Sequence, residues 1–180
     1  MALEQEVKLA YDSLEAAGRS VVEAGGRLVI PRRLLDDRLF DTPNRELRIA
    51  RSSLRLRRDG DHALITYKGP VQPGPVKIRE ELETRLADAH IGEAILKGLG
   101  YEQVFRSEKY RAEYVLDSTQ IAVDETPMGV FVEIEGAIDH IERVTIRLGR
   151  SPNDYRLESY QRLHADWCAA RGRFAGDMTF

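Results

Sequence analysis

The sequence predicts an α+β fold in which an antiparallel sheet of about eight strands closes into a barrel and helices pack on its outside. Three observations carry this expectation. Short stretches along the whole chain alternate charged with apolar residues at the period of a strand. Amphipathic helical segments lie between them and need an apolar sheet surface to cover. Turn residues such as Asp59-Gly60-Asp61 and Pro127-Met128-Gly129 join neighbouring stretches, which favours antiparallel pairing.

The chain has 180 residues, 42% hydrophobic and 32% charged, which suits one domain spanning 1–180 with a substantial core. A formal net charge of -3 argues against a general nucleic-acid binder. Cys168 is the single cysteine, so neither an internal disulfide framework nor a zinc-thiolate cluster is available. No apolar run approaches the ~20 residues that span a bilayer, and no signal-peptide core precedes Glu4. A cytoplasmic protein without a membrane partner, monomeric or homodimeric, is the expectation.

Leu3–Leu9 places Leu3, Val7 and Leu9 on one strand face and Glu4, Glu6 and Lys8 on the other. Asp12 and Ser13 offer N-cap oxygens to a helix reaching about Ala24, stopped by Gly25-Gly26. An extended stretch from Arg27 to Phe40, broken by Pro31, leads to the turn Asp41-Thr42-Pro43-Asn44 and a short helix to Arg51. Ser53–Arg58 and His62–Lys68 form a hairpin, with Arg55 and Arg57 on one face of its first strand and Lys68 on the second. Gly69–Pro75 reads as a loop.

Val76–Glu83 sets Lys77, Arg79, Glu81 and Glu83 opposite Val76, Ile78 and Leu82. Asp88 caps a helix through Leu96 and Leu99. On the long strand Val104–Leu116, Lys109, Arg111 and Glu113 share a face; Thr119–Asp124 and Val130–Glu135 follow, carrying Asp124 and then Glu133 and Glu135. A helix then runs to Leu148, and Ser151-Pro152-Asn153-Asp154 is expected to start a last helical region to about Ala170, with Tyr160, Leu163, His164 and Trp167 as packing residues. The tail from Gly172 to Phe180 is either frayed or docked. His62, His90 and His140 show no ligand-like spacing.

Helices need the apolar strand faces, so the charged faces either meet water or enclose a polar interior. Closure of the sheet would gather them in one tunnel and remove its edges. Two like charges ~4 Å apart repel by about 4 kcal/mol at an effective dielectric near 20, so crowded cations call for a polyanion and crowded carboxylates for a metal. A phosphate chain with a divalent ion satisfies both, because arginine forks and lysines bind phosphate while hard cations prefer carboxylate oxygens. A self-neutralising network of salt bridges is the structural alternative.

The ordered blocks Glu4-Gln5-Glu6-Val7-Lys8, Phe40-Asp41-Thr42-Pro43, Leu54-Arg55-Leu56-Arg57, Thr66-Tyr67-Lys68-Gly69-Pro70, Arg79-Glu80-Glu81-Leu82-Glu83, Lys109-Tyr110-Arg111, Asp124 and Glu133-Ile134-Glu135 resemble the CYTH domain, or triphosphate tunnel metalloenzyme, superfamily. The resemblance covers nearly the whole chain. It implies an eight-stranded antiparallel tunnel that binds a triphosphate and Mg2+ or Mn2+. Glu4, Glu6, Glu133 and Glu135 would hold metal, with Glu81 and Asp124 as further candidates. Lys8, Arg55, Arg57, Lys68, Lys109 and Arg111 would hold phosphates, to which the strand parity adds Arg79. Lys8, Glu6 and Glu133 are the candidate catalytic residues.

Members of the superfamily include class IV adenylate cyclases, thiamine triphosphatases and inorganic tripolyphosphatases. Many of its hydrolases carry Tyr where Leu39 stands here, a residue thought to work on the attacking water. Leu39 cannot do so, which favours cyclisation of ATP to cyclic AMP and pyrophosphate over hydrolysis of thiamine triphosphate, tripolyphosphate or a nucleoside triphosphate. A silent nucleotide or polyphosphate sensor is the third expectation, although none of the four principal metal carboxylates is lost.

Overall fold

The computed structural model describes residues 2–180. Eight strands are present: β1 (Ala2–Tyr11), β2 (Arg27–Asp41), β3 (Ser53–Asp59), β4 (His62–Lys68), β5 (Lys77–Leu86), β6 (Glu102–Leu116), β7 (Thr119–Thr126) and β8 (Gly129–Glu135). They close into a barrel in the order β1-β5-β4-β3-β2-β6-β7-β8, every neighbouring pair antiparallel. Closure follows from the two-faced sequences: the apolar outer faces are covered by helices, and the charged inner faces satisfy one another.

The helices are α1 (Leu14–Glu23), α2 (Glu46–Ile49), α3 (Ala89–Gly98), α4 (Ile138–Arg147) and α5 (Tyr160–Ala169). The Ser13 hydroxyl accepts from the Ala16 amide at 3.1 Å to start α1, and Gly25, at φ +94, ends it in a conformation that a side chain would strain. Ala17 and Val21 of α1 and Ile141 and Val144 of α4 pack on Val7, Leu9, Ile121, Val123, Val132 and Ile134 of β1, β7 and β8. A second, smaller cluster seats Leu96 of α3 on Phe40 and Leu56, with Ile65 and Leu86 beside them. Leu99, expected within that helix, is its C-cap residue and is exposed.

Three register shifts between β2 and β6, at Leu28/Ile30, Ile30/Arg33 and Leu39/Phe40, break the alternation of the longest pair. The last helical region also departs from expectation. Ser151 and Pro152 start only a single 3-10 turn, Pro152–Asp154, because Asp154 turns back to accept from the Ser151 amide at 2.8 Å. The chain then runs extended: the Lys8 amide donates to the Arg156 carbonyl at 3.1 Å and the Arg156 amide to the Lys8 carbonyl at 2.8 Å. Only at Ser159, whose hydroxyl accepts from the Arg162 amide, does α5 begin.

The tail is docked. Met178 is buried and bridges to Ser107, and the Phe180 ring lies 5.3 Å from that of Tyr110. Among the described residues no helix is long and apolar enough to cross a membrane.

Candidate functional site: a charged tunnel

The barrel encloses a cavity of about 1270 Å³. Its wall carries Glu4, Glu6, Lys8, Arg55, Arg57, Lys68, Arg79, Glu81, Lys109, Arg111, Glu133 and Glu135. Period-two alternation along β1, β3, β4, β5, β6 and β8 turns these side chains inward. Asp124, the remaining expected site residue, is wholly buried in the wall of β7 behind Lys109 and Arg111.

Apart from Arg55 and Arg57, which meet Asp37 and Glu83, the charges divide into three groups. Around β1 and β5, Lys68 Nζ lies 2.5 Å from Glu4 Oε1 and 2.7 Å from Glu81 Oε2, while Arg79 Nε donates to Glu4 Oε2 at 2.9 Å. Next along β1, Glu6 Oε1 accepts from Lys77 Nζ at 2.6 Å and Lys8 Nζ at 3.0 Å, and Lys8 Nζ is also 3.3 Å from Glu133 Oε1. Asp124 forms the third group: Oδ2 accepts from Lys109 Nζ at 2.8 Å, Arg111 Nη2 at 2.6 Å and the Tyr160 hydroxyl at 2.7 Å. Arg111 also donates to Glu133, which joins the second group to the third.

Burial alone would raise every carboxyl here, so the direction of each shift identifies what surrounds it. Burial of Glu6 is outweighed by Lys8 and Lys77, and that of Asp124 by Arg111 and Lys109; both are held below the ordinary carboxylate range. Glu135 behaves in the opposite way. Burial, with Glu4, Glu6 and Glu81 nearby, pushes it up to about 7. Glu81 is raised by burial too. Among the cations, burial and the neighbouring Arg111 bring Lys109 down to about 8, and burial with Lys8 and Arg79 brings Lys77 to about 8.

Glu4, Glu6, Glu81 and Glu135 lie near one another; burial and the repulsion among them raise Glu81 and Glu135, while Lys68 and Arg79 compensate Glu4 and Lys8 and Lys77 compensate Glu6. Their all-oxygen donor set suits a hard divalent ion, which would relieve that repulsion. Among the described residues no three carboxylate, histidine or cysteine side chains are yet gathered as ligands; lysines and arginines occupy the carboxylates instead.

Two site residues escaped the sequence reading. Asp37 is buried on β2 and accepts from Arg57 Nε at 2.7 Å and Nη2 at 2.8 Å. Tyr160, expected to be a packing residue, instead leads α5 into the tunnel wall. Its hydroxyl reaches Asp124, its ring lies 4.6 Å from Lys109 Nζ and 5.3 Å from Lys8 Nζ, and Phe131 meets it edge-on. The one signal for Tyr160 was its place directly after the N-cap Ser159, where a side chain can leave the helical stripe. Leu39 lines the cavity.

Residues 2–146 match the family described as the CYTH domain. The chain belongs to the CYTH domain family. This CYTH protein is 28% identical over 140 residues to a Methanocaldococcus jannaschii protein named "Putative adenylate cyclase", a match spanning 77% of this chain and 79% of that one. An X-ray structure of a "putative adenylate cyclase" from Vibrio parahaemolyticus superposes with a TM-score of 0.78 at 22% identity, over 89% of this chain and 97% of the other. A Hippeastrum protein described as a "putative adenylyl cyclase" with a dominant triphosphatase activity gives a TM-score of 0.68 at 16% identity, over 97% of both chains. At such identities the two structures establish a shared fold. Membership of the CYTH family carries with it triphosphate substrates and dependence on a divalent metal.

Proposed function

We propose that this protein is a divalent-metal-dependent enzyme that holds a triphosphate in its tunnel, and that it converts ATP to cyclic AMP and pyrophosphate in the manner of a class IV adenylate cyclase. The observation that carries the reading is the density of charge on one cavity wall: carboxylates of β1, β5 and β8 interleave there with lysines and arginines of β1, β3, β4, β5 and β6, so that phosphate oxygens and a cation can each find partners. Glu4, Glu6, Glu81 and Glu135 would hold Mg2+ or Mn2+, with Glu133 and Asp124 as the remaining carboxylate candidates. The ion would neutralise phosphate oxygens and draw charge from the leaving group.

Arg55, Arg57, Lys68, Arg79, Lys109 and Arg111 would bind the phosphates, exchanging carboxylate partners for phosphate oxygens. Lys8, which lies between Glu6 and Glu133, would stabilise charge as the bond to the pyrophosphate oxygen breaks. The ribose 3'-oxygen would form the new bond to the α-phosphorus in line with that departure, its hydroxyl proton being lost to solvent. The cyclase names of relatives and the aliphatic Leu39 on the cavity wall support cyclisation over hydrolysis.

Hydrolysis of tripolyphosphate, thiamine triphosphate or a nucleoside triphosphate is the second reading. Tyr160 favours it, because its phenol oxygen, whose proton is donated to Asp124, can still accept from an incoming water near Lys8, and the Hippeastrum protein's triphosphatase activity adds support. Incubation with ATP, thiamine triphosphate and tripolyphosphate, each with Mg2+ or Mn2+, separates these readings. Cyclic AMP with pyrophosphate decides for the cyclase and orthophosphate for hydrolysis. Binding without turnover of any of the three would leave a sensor.

A further inference from the structure

The tunnel interior is close to self-neutralising. Lys8, Lys68, Lys77, Arg57, Arg79, Lys109 and Arg111 each have a carboxylate within salt-bridge distance, and Arg55 lies 3.3 Å from Glu83. Uncompensated positive charge is found instead on the segment joining β2 to β3. Arg45, Arg48 and Arg51 all line the same cavity, all are exposed, and none has a carboxylate partner among the described residues.

That segment is built to hold its shape. The buried Asp41 carboxylate accepts from the amides of Thr42 at 2.8 Å, Leu47 at 2.9 Å and Arg48 at 3.0 Å. Arg45 at φ 60 and Arg51 at φ 57 are two of the three non-glycine residues with left-handed backbone among the described residues. They bracket α2, and such conformations cost about 1 kcal/mol each, so they persist only where surrounding contacts impose them. Across the opening, the leader of α5 contributes Glu158, whereas Arg162 is already paired with Asp166. Asp41 lines the cavity too but is buried and turned to backbone amides, so at this end three arginines stand against two carboxylates.

We propose that Arg45, Arg48 and Arg51 form a second phosphate subsite at the tunnel mouth, which takes the units of a phosphate chain beyond the third. Guanidinium forks match phosphate oxygens in pairs, and three of them on a fixed scaffold favour a chain of repeated anions over an apolar or singly charged group. The cavity supports this: about 1270 Å³ exceeds the ~300–1000 Å³ that encloses a drug-sized ligand. The inference rests on the triphosphate reading of the inner tunnel but not on which reaction follows. The extra units can belong to an inorganic polyphosphate or to a nucleoside polyphosphate, since both present the same chain to the rim.

Titration calorimetry of the full chain with tripolyphosphate, linear tetraphosphate, ATP and adenosine tetraphosphate, each with Mg2+, tests it. Each tetraphosphate should bind about tenfold more tightly than its triphosphate, the gain expected of one added charge-assisted contact. A gain with the inorganic chain alone assigns the rim to inorganic polyphosphate, and a gain with both assigns it to the chain irrespective of its end. In the combined Arg45→Gln, Arg48→Gln, Arg51→Gln variant the ratio of the two affinities should fall towards one. Arg48→Gln, at ordinary helical backbone, should lower the ratio partway and guards against a folding effect at the two left-handed positions. Equal affinity of the wild type for triphosphate and tetraphosphate overturns the rim and leaves the inner site standing. A wild type that binds neither overturns the triphosphate reading and the rim with it.

Discussion

Asp124→Asn separates two roles that a buried tunnel carboxylate can have. Asp124 is fully buried and has three donors within 2.8 Å: Lys109, Arg111 and the Tyr160 hydroxyl. The neutral amide keeps the size of the side chain but leaves Lys109 without a carboxylate at hydrogen-bonding distance, and Arg111 with Glu133 alone. Breaking a buried pair from one side costs about 3–5 kcal/mol, because the remaining charge stays desolvated. For a domain of this size each kcal/mol lowers the unfolding midpoint by about 2–4 °C, so the variant should melt about 6–20 °C lower. Tripolyphosphate should then stabilise the variant more than the wild type, since phosphate oxygens replace the lost acceptor; at a hundredfold excess over Kd the linkage is worth about 2.7 kcal/mol. Thermal unfolding with and without the ligand measures both quantities. A loss below about 1 kcal/mol, or identical stabilisation of the two proteins by ligand, would refute the view that Asp124 anchors the phosphate-binding cations.

Three further outcomes follow from the same geometry. Glu135, held protonated up to about 7 by burial and its carboxylate neighbours, must lose a proton to bind a cation; Mn2+ affinity should therefore rise about tenfold per pH unit up to that value and level off above it. Glu135→Gln should flatten the profile, and calorimetry showing a wild-type affinity independent of pH across this range would contradict it. Arg57→Ala leaves Asp37 buried without its bidentate partner, costing about 3–5 kcal/mol in denaturant unfolding and weakening tripolyphosphate binding. The folded-state pKa of Asp37 is depressed, so the contribution of this pair is complete above the unfolded-state value and fades as pH falls; a variant as stable as wild type at neutral pH would count against it. Leu56→Ala, beneath α3 against Phe40 and Leu96, should cost about 2–5 kcal/mol without altering the ligand affinity of the remaining folded protein.

The tunnel was legible in the sequence where one strand face was uniformly charged. Glu4, Glu6 and Lys8 against Val7 and Leu9, or Lys109 and Arg111 against Tyr110 and Ala112, leave little choice of orientation once helices claim the apolar side. On β2 the signal fails, because Leu35, Asp37 and Leu39 alternate with Asp36, Arg38 and Phe40, and neither face is uniform. Asp37 lies in a regularly paired part of that strand, yet with no uniform face beside it nothing marked its side chain as inward. Tyr160 was hidden for another reason: helical spacing groups it with His164 and Trp167, yet it is the first residue of α5 and its phenol follows the N-terminal end of the helix into the wall. The left-handed arginines around α2 had no signature, since backbone imposed by tertiary contacts leaves no trace in propensity.

The short extended run around Arg156 bears on where this molecule can be cut. Pairing of β1 with β5 ends at Glu6 and Lys77, and beyond that point the main chain of Lys8 is met by Arg156, ten residues past the family match. A chain trimmed to residues 2–146 would keep all eight staves of the barrel but lose the sealing strip along the upper part of the first. It would expose hydrogen-bonding groups of the very residue that carries Lys8 into the tunnel, and an open strand edge of that kind invites pairing between molecules. The recurring family unit is thus smaller than the watertight one, and a fragment designed on sequence homology alone would leak at its seam.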